Sequence, residues 1–431
     1  MSSTFAFFAS RRFLPLFSTQ FLGAFNDNLL KTAFLVLVSY AGLEFAGLPA
    51  AQIVNLASGL FILPFFLFSA TAGRLAECVD KARIARWVKV SELLIMALAT
   101  VGFYFQHVAL LLLALFLMGA HSTFFGPIKY AMLPQHLRRD ELLGGNGLIE
   151  MGTFIAILLG QMAGSLLVTQ SLWLTVALLL GAALLGWRSS CAILPAPPSP
   201  SAAQLAPSLH LWRDTRALLA QTRRTPALWT AILGISWFWL LGAVYLTQLP
   251  TFTRLHLGGD AQVYTLILAV FSVAIGAGSM LCARLSNHQL RLGWVGIGLL
   301  GMTLAGLDIY AAGHARHQGD LLSLSAYLAQ AGAWRQLLDF ALLGVFGGMF
   351  TVPLYTWLQV ASAEAFRAQA IAANNIVNGL FMVAAAAFSA ALLAWLDSIA
   401  VLFLAVAVCN APVLWLLVRR EPTLWPWRRP R

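Results

Sequence analysis

The sequence is poor in charge. Only 10% of its 431 residues are charged, whereas about 25% is usual for a soluble globular protein. Hydrophobic residues make up 60% and the mean hydropathy is +0.80, which excludes a water-soluble enzyme. The net charge is +11, but the chain is too apolar for a nucleic-acid-binding protein. No nucleic-acid partner is therefore expected. The few charges should lie outside a lipid-embedded body.

Several chemical signatures are also missing. The cysteines are isolated, without a Cys-x-x-Cys pair or a Cys/His cluster, which argues against a disulfide framework, a zinc site or any other metal site. No Gly-x4-Gly-Lys-Ser/Thr phosphate loop is present, so neither ATP-driven pumping nor a cofactor is expected. The four cysteines are Cys78, Cys191, Cys282 and Cys409.

Apolar runs alternate with polar turns along the whole chain. A bilayer core about 30 Å thick needs about 20 mostly apolar residues per helix, and about twelve runs of that length occur. Those in the first half are residues 13–40, 53–72, 84–105, 108–127, 147–168 and 171–190. Those in the second half are residues 227–250, 263–282, 292–311, 336–360, 371–395 and 398–418. This pattern predicts an all-α integral membrane protein.

Lysine and arginine are divided unequally between the two sets of connections. Arg11 and Arg12 precede a first run that is too long for a cleavable signal peptide, so the first helix should be retained. One set of connections carries about 22 of the 27 basic residues, Lys89 among them. The alternate set carries only Arg254, Arg316 and Arg335. Because cytoplasmic loops are enriched in both residue types, we expect both termini in the cytoplasm.

The longest polar stretch divides the chain into two halves. We expect an N-terminal six-helix bundle over 1–190, a cytoplasmic linker over 191–226, a C-terminal bundle over 227–418 and a basic cytoplasmic tail over 419–431. Apolar residues recur at helical spacing in the linker, which indicates an amphipathic helix along the membrane surface. A plain solvated linker is the alternative.

The two halves resemble repeats of one another. Asn146 opens the fifth span and Asn374 the eleventh, while Pro127 and Pro353 end the fourth and tenth. Both pairs are separated by about half the chain. Six plus six helices in parallel, pseudo-symmetric repeats resemble the major facilitator superfamily, which implies a substrate site near the membrane midplane.

Polar side chains interrupt the first span. Asn26, Asp27 and Asn28 are followed by Lys31, and an ionisable group inside a span is a functional candidate because it is costly there. Asp27 and Lys31 are four residues apart and therefore share one helical face. They either neutralise each other as an internal ion pair or bind a substrate, Lys31 at a phosphate and Asp27 at an amine. In both cases they should line the bundle interior.

Two further groups lie at the fourth and fifth spans. Lys129, beside Tyr130, either extends to phospholipid head groups or closes a gate onto an acid such as Glu150. Asn146 and Glu150 open the fifth span, and the second half has the neutral Asn378 where Glu150 stands. This asymmetry favours a functional role for Glu150. Other ionisable residues in or near spans are Glu92, His121, Asp308 and Asp339, the last two interpreted as solvated.

The loop predicted between the second and third spans resembles the superfamily's signature loop. It contains Gly73, Glu77, Asp80, Lys81 and Arg83. A glycine allows close helix approach, and an acid there can face the positive N-terminal end of the eleventh helix. We therefore expect a cytoplasmic gating motif, with Glu77 in place of the usual aspartate.

Three segments carry a closer resemblance. Residues 19–28, 125–135 and 146–154 are similar to the bacterial lysophospholipid transporters, and to the transporter module that is fused in some bacteria to a lysophospholipid acyltransferase and an acyl-carrier-protein synthetase. The resemblance implies that lysophosphatidylethanolamine-like lipid is flipped from the outer to the inner leaflet of the inner membrane by alternating access, for reacylation. The motif residues that it implicates are Asn26, Asp27, Asn28, Lys129, Tyr130, Asn146 and Glu150.

Two other functions remain open at this level. One is proton-coupled export of a small molecule or drug, with Asp27 or Glu150 as the proton carrier. The other is an integral-membrane lipid acyltransferase, which would use a His-x4-Asp pair. None of the eight histidines has an aspartate at that spacing, and His136 is followed there by Glu141. We therefore expect no catalytic residue and no enzyme activity, with a separate acyltransferase and acyl-ACP synthetase as partner.

Overall fold

The chain folds almost entirely into α-helices. The computed structural model describes residues 6–40, 45, 47–199, 210–287 and 289–425, so part of the predicted linker and residues 426–431 of the predicted basic tail lie outside the described residues. The described helices are α1 (Leu14–Tyr40), α2 (Ala50–Cys78), α3 (Lys81–Tyr104), α4 (Val108–His136), α5 (Leu142–Gln170), α6 (Leu172–Cys191), α7 (Leu211–Arg223), α8 (Pro226–Leu255), α9 (Ala261–Leu285), α10 (Gly293–Gly313), α11 (Leu324–Leu328), α12 (Ala333–Ala361), α13 (Arg367–Leu396) and α14 (Ile399–Arg420).

Eleven of the described helices are long and apolar enough to cross a membrane. The remaining long helix is α3, which has 24 residues and is set apart by its charged first half, Lys81 to Glu92. The twelve predicted runs thus correspond to twelve long helices. The all-α membrane fold that the sequence predicts is confirmed.

Two helices extend beyond their predicted ends. The α2 helix continues to Cys78, so Gly73 and Glu77 lie in its last turns rather than in a loop. The α4 helix continues through Pro127 and Pro134 to His136. Proline is tolerated in a membrane helix because its neighbours satisfy the backbone groups that it frees, and for this reason Pro127 does not end α4 as predicted.

The first of two units contains α1–α4, α6, α7 and parts of α5 and α13. Its ranges are Met1–Gly145, Ile155–Thr225 and Gln359–Ile376. Within it, α2 packs against α4, α3 against α4 and α6, and α1 against α6. Members of its apolar core include Leu29, Phe34, Met96, Phe103, Leu115 and Leu179. Among the polar residues of α1 in this unit, Asn26 is fully buried, whereas Asp27, Asn28 and Lys31 are partly exposed.

Two glycines of α5 allow a close approach to α1. A Cβ atom at Gly160 would lie 2.5 Å from the carbonyl oxygen of Phe25, and one at Gly164 would lie 2.8 Å from that of Leu29. No larger side chain fits at these distances, and small residues at this spacing are typical of membrane helix contacts. The polar segment of α1 is therefore held against α5 by backbone contact.

An ion pair fixes the entrance to α1. The Arg12 guanidinium donates two hydrogen bonds of 2.6 Å to the Glu141 carboxylate, just before α5. Burial raises the pKa of Glu141, but the hydrogen bond from Arg12 and the charges of Arg12 and Arg138 outweigh that effect. The pKa of Glu141 consequently lies below its usual value, and a charged, bidentate pair of this kind is among the stronger ones.

The second unit contains α8–α12, α14 and the remaining parts of α5 and α13. Its ranges are Asn146–Phe154, Pro226–Leu358 and Val377–Arg431. Here α10 packs against α14, and α8 packs against α9 and α14. Asp308, expected to be solvated, accepts a hydrogen bond of 3.0 Å from Arg335 and keeps 40% of its side chain exposed.

The described part of the linker contains the helix α7. Thr215, Leu218 and Thr222 are its buried residues, and the helix packs against α2. Trp212 on another face is 84% exposed. The helix is therefore amphipathic and anchored along one side.

Candidate functional site

A buried group of ionisable side chains lies in the first unit. The Lys89 Nζ atom is 2.5 Å from Glu92 Oε2, one turn along α3, and both side chains are fully buried. His121 on α4 places its Nε2 atom 3.1 Å from the same Glu92 oxygen. Lys89 Nζ also lies over the Phe125 ring, 5.4 Å from its centroid. We call Lys89, Glu92 and His121 the charged triad.

The triad is tied to α1 and α6 through Asn26. The Asn26 side-chain amide donates a hydrogen bond of 2.8 Å to Glu92 Oε1 and one of 3.1 Å to the carbonyl oxygen of Leu179. Both Glu92 oxygens therefore have partners, which is the condition under which a buried charge is tolerated. One asparagine thus links three helices.

Asp27 lies beside the triad. Ser122 Oγ on α4 donates a hydrogen bond of 2.7 Å to Asp27 Oδ2. Asp27 Oδ1 is buried, and no described residue gives it a hydrogen bond. A buried carboxylate oxygen without a protein partner is costly, so this atom is suited to bind a donor that is not part of the chain.

Lys31 and Asp27 do not form the ion pair that one interpretation of their spacing predicted. Lys31 Nζ instead lies 5.7 Å from the centroid of the Phe61 ring, and within the described part of the chain it enters no salt bridge. Asn28 donates 2.8 Å to the carbonyl oxygen of Ala24, within α1 itself. Of the predicted α1 residues, Asn26 and Asp27 are thus held to neighbouring helices by hydrogen bonds, while Lys31 contacts α2 through the Phe61 ring.

Lys129 and Tyr130 lie near the end of α4. Lys129 Nζ is 4.7 Å from the centroid of the Tyr130 ring. The Gln359 side-chain amide donates a hydrogen bond of 3.2 Å to the Tyr130 carbonyl oxygen. Tyr130 is 5% exposed, so its role is at least partly in packing.

The predicted gating residues meet the start of α13. Glu77 Oε1 accepts a hydrogen bond of 2.5 Å from the backbone N–H of Ala368, where the partial positive charge of the helix is concentrated. A Cβ atom at Gly73 would lie 2.6 Å from the Cβ atom of Ala372. Gly73 therefore permits the approach that brings Glu77 to the helix end.

Asp80, Lys81 and Arg83 form the start of α3. Asp80 accepts hydrogen bonds of 3.0 Å from the backbone N–H groups of Arg83 and Ala196. Lys81 donates its backbone N–H to the Ala196 carbonyl oxygen at 3.0 Å. Asp80 is thus an N-cap that also holds the segment after α6.

Asn146 and Glu150 lie in the second unit. Asn146 donates 3.1 Å to the Thr356 hydroxyl of α12. Glu150 is 1% exposed. Asn146 and Glu150 thus belong to the second unit, whereas Asn26 and Asp27 lie with the triad in the first. Among the described residues no group of three potential metal ligands occurs.

Residues 16–326 match the family model of the Major Facilitator Superfamily, which is well over half of the chain. The chain belongs to the Major Facilitator Superfamily. The signature-loop resemblance of Gly73 and Glu77 is consistent with this membership.

Two relatives and two solved structures are similar to this chain over most of its length. The lysophospholipid transporter LplT of Citrobacter koseri is 28% identical over 402 residues, covering 91% of each chain, and that of Serratia proteamaculans is 28% identical over 386 residues, covering 85% of each. The human organic anion transporter MFSD10 superposes with a TM-score of 0.73 at 16% identity, over 94% of this chain and 99% of its own. The Escherichia coli fucose:proton symporter superposes with a TM-score of 0.66 at 15% identity, over 95% of this chain and 98% of its own. The structural likenesses concern the fold alone.

The charged triad is the part of this superfamily member that sequence reasoning missed. The prediction that Lys89 belongs to the cytoplasmic loop charges is wrong, because its side chain is fully buried beside Glu92. The sequence places Glu92 and His121 in or near spans but does not connect them to Asn26 or Asp27. The available signal was an oppositely charged pair three residues apart on one helical face, followed by an apolar run.

Proposed function

We propose that this chain moves lysophospholipid across the bacterial inner membrane. The observation that carries the proposal is the similarity, over 91% of the chain, to a protein named as a lysophospholipid transporter. Transport runs from the outer to the inner leaflet by alternating access, and both termini are cytoplasmic. The unequal distribution of the 27 basic residues supports this orientation.

The geometry of α1 supports binding of a zwitterionic head group. A lysophosphatidylethanolamine-like lipid carries an ammonium and a phosphate. Asp27 Oδ1 has no hydrogen-bond partner among the described residues and receives the ammonium. Lys31, which lies on the Phe61 ring, receives the phosphate through its ammonium group. The acyl chain then remains against apolar side chains, because 60% of the residues are hydrophobic.

The charged triad acts as a positioning device in this scheme. Asn26 is adjacent to Asp27 and donates to Glu92, so the rotation of α1 about its own axis is coupled to α3. Ser122 holds the other oxygen of Asp27. Together these contacts fix the direction in which Asp27 Oδ1 points.

Acylation belongs to a separate polypeptide. The chain lacks the His-x4-Asp pair that would activate an acceptor hydroxyl, so an acyltransferase and acyl-ACP synthetase act on the lipid after transport. Reacylation removes the transported lipid from the inner leaflet and so drives net flux.

The test is uptake of radiolabelled lysophosphatidylethanolamine by spheroplasts with and without this protein. Uptake should depend on the protein, and Asp27→Asn should lower it at least about ten-fold, because the charge that meets the ammonium is lost. The exposed Asp320 offers a matched control, Asp320→Asn, which should transport normally. Uptake that is independent of the protein would refute the proposal, and normal uptake by Asp27→Asn would remove Asp27 from the mechanism.

The same assay separates a second function, proton-coupled export. Asp27, with one oxygen unpartnered among the described residues, would then carry the proton. Collapse of transport on addition of an uncoupler favours export coupled to protons. Uptake that persists favours the lipid transporter.

A further inference from the structure

A cavity of about 650 Å³ lies between α10 and α14 in the second unit. Thr303 of α10 faces it from one side, and Leu414, Trp415 and Val418 of α14 face it from the other. The α14 residues recur at helical spacing and so form one apolar stripe. The volume falls in the range of about 300–1,000 Å³ that is typical of sites for small ligands.

The cavity has a charged end. Arg419 lines it at the C-terminal end of α14, and its guanidinium carbon lies 5.2 Å from the centroid of the Trp415 ring. Stacking on an aromatic face orients a guanidinium and leaves its N–H groups at the edge, where they can donate to an oxyanion. No described acidic side chain forms a salt bridge with Arg419.

The chain reverses direction to close that end. A short 3-10 turn, Pro422–Leu424, follows α14 and packs against α10 as well as α14. Leu424 is fully buried. The Glu421 carboxylate accepts a hydrogen bond of 2.7 Å from the Thr423 hydroxyl, which stabilises the turn. Trp425 then lines the cavity, so the site is built by three segments and is more than a groove between two helices.

The surroundings indicate the occupant. Both helices are candidate membrane spans, so lipid is the solvent around them. An apolar cavity that ends in an arginine matches an acyl chain that ends in a phosphate, and basic pockets between membrane helices on the cytoplasmic side bind anionic lipid head groups. The site lies in the second unit, apart from the charged triad and Asp27.

We propose that this cavity binds one anionic diacyl phospholipid, with an acyl chain against the Thr303–Trp415 lining and its phosphate on Arg419. The site serves a resident membrane lipid and is distinct from the transport site. It does not depend on which molecule the protein transports.

The test is lipid retention by the purified full-length protein, measured by native mass spectrometry after exchange into equal amounts of phosphatidylglycerol and phosphatidylcholine. We expect about one phosphatidylglycerol retained per chain. Arg419→Gln should lower its retention about five-fold, as expected for one arginine at a lipid phosphate. The neighbouring Arg420, which does not line the cavity, provides the control Arg420→Gln, with retention unchanged.

A second variant keeps the test decisive if Arg419→Gln folds poorly. Thr303→Phe fills the cavity from α10 without touching the charge, and phosphatidylglycerol should then be lost. Equal retention of the two lipids by the unaltered protein, equal losses in Arg419→Gln and Arg420→Gln, or full retention by Thr303→Phe would each overturn the proposal. Displacement of the bound lipid by an equal amount of lysophosphatidylethanolamine would also overturn it, because the cavity would then be a second site for the transported lipid.

Discussion

At the scale of single residues, the charged triad concentrates ionisable groups in an apolar bundle. Lys89 and Glu92 are fully buried, and removing water from such groups costs several kcal/mol per ion. The cost is offset because Lys89, His121 and Asn26 all contact the Glu92 carboxylate. These contacts lie next to Asp27. Its Oδ1 atom accepts no hydrogen bond from a described residue and is the candidate for head-group binding.

The triad leads to a prediction about stability. Lys89→Met and Glu92→Gln each leave the opposite charge buried without its partner, so each should lower the free energy of unfolding by about 3–5 kcal/mol. The double variant should recover much of that loss while transport stays low, because the neutral amide of Gln accepts a weaker hydrogen bond from Asn26 than a carboxylate does. Thermal unfolding of the purified protein and lysolipid uptake measure the two effects.

An exposed pair serves as the control. Arg138 and Asp140 lie 3.2 Å apart with most of the Arg138 side chain in solvent, so Asp140→Asn should change stability by only about 0–1 kcal/mol. Single triad variants as stable as that control, or a double variant less stable than either single one, would contradict the prediction.

At the scale of elements, α2 and α13 meet through a charge and a glycine. Glu77 accepts a hydrogen bond from the Ala368 N–H at the start of α13, and Gly73 leaves room for Ala372. The extension of α2 by several residues beyond its predicted end makes this contact rigid, because Glu77 is carried by a helix rather than by a loop. Its gating role stays a prediction.

Substitution of Glu77 should separate charge from hydrogen bonding. Glu77→Gln retains an acceptor but loses the attraction to the helix end, which is worth about 0.3–1 kcal/mol. Glu77→Ala also leaves the buried Ala368 N–H without its acceptor, at a cost of about 1–3 kcal/mol. In thermal unfolding the unaltered protein should therefore be the most stable, Glu77→Gln less stable, and Glu77→Ala the least stable. A Glu77→Gln variant as stable as the unaltered protein would show that the carboxylate charge has no part in the contact, and equal losses for both variants would show that a neutral acceptor contributes nothing.

At the scale of the whole molecule, twelve long helices account for the membrane-spanning body. Eleven qualify by length and hydropathy, and α3, whose first half holds Lys81, Arg83, Arg86, Lys89 and Glu92, is not among them. Two of these charged side chains belong to the triad. A count of spans from hydropathy alone therefore leaves out the helix that carries two of the three triad residues.

The predicted orientation can be measured with a native cysteine. Cys191 at the end of α6 is exposed and should face the cytoplasm, because the basic connections lie on that side. In a protein with the other three cysteines changed to serine, a membrane-impermeant maleimide should label Cys191 in inverted vesicles and spare it in intact cells. Adding Asp320→Cys on a background without Cys191 should give the opposite pattern. Labelling of Cys191 in intact cells would show that the orientation is reversed.

The sequence by itself determined the number of long helices, the superfamily and the presence of Asn26 and Asp27 within a span. Each follows from composition, apolar run length or short motifs, which are properties along the chain. Only the tertiary structure decided that Lys89 is buried and that α2 ends beyond Glu77. It also decided that Asn26 meets Glu92, 66 residues away, and that Asp27 meets Ser122, 95 residues away. Such pairings depend on how each helix is rotated against its neighbours, and the one-dimensional pattern of an almost uniformly apolar helix does not specify that rotation.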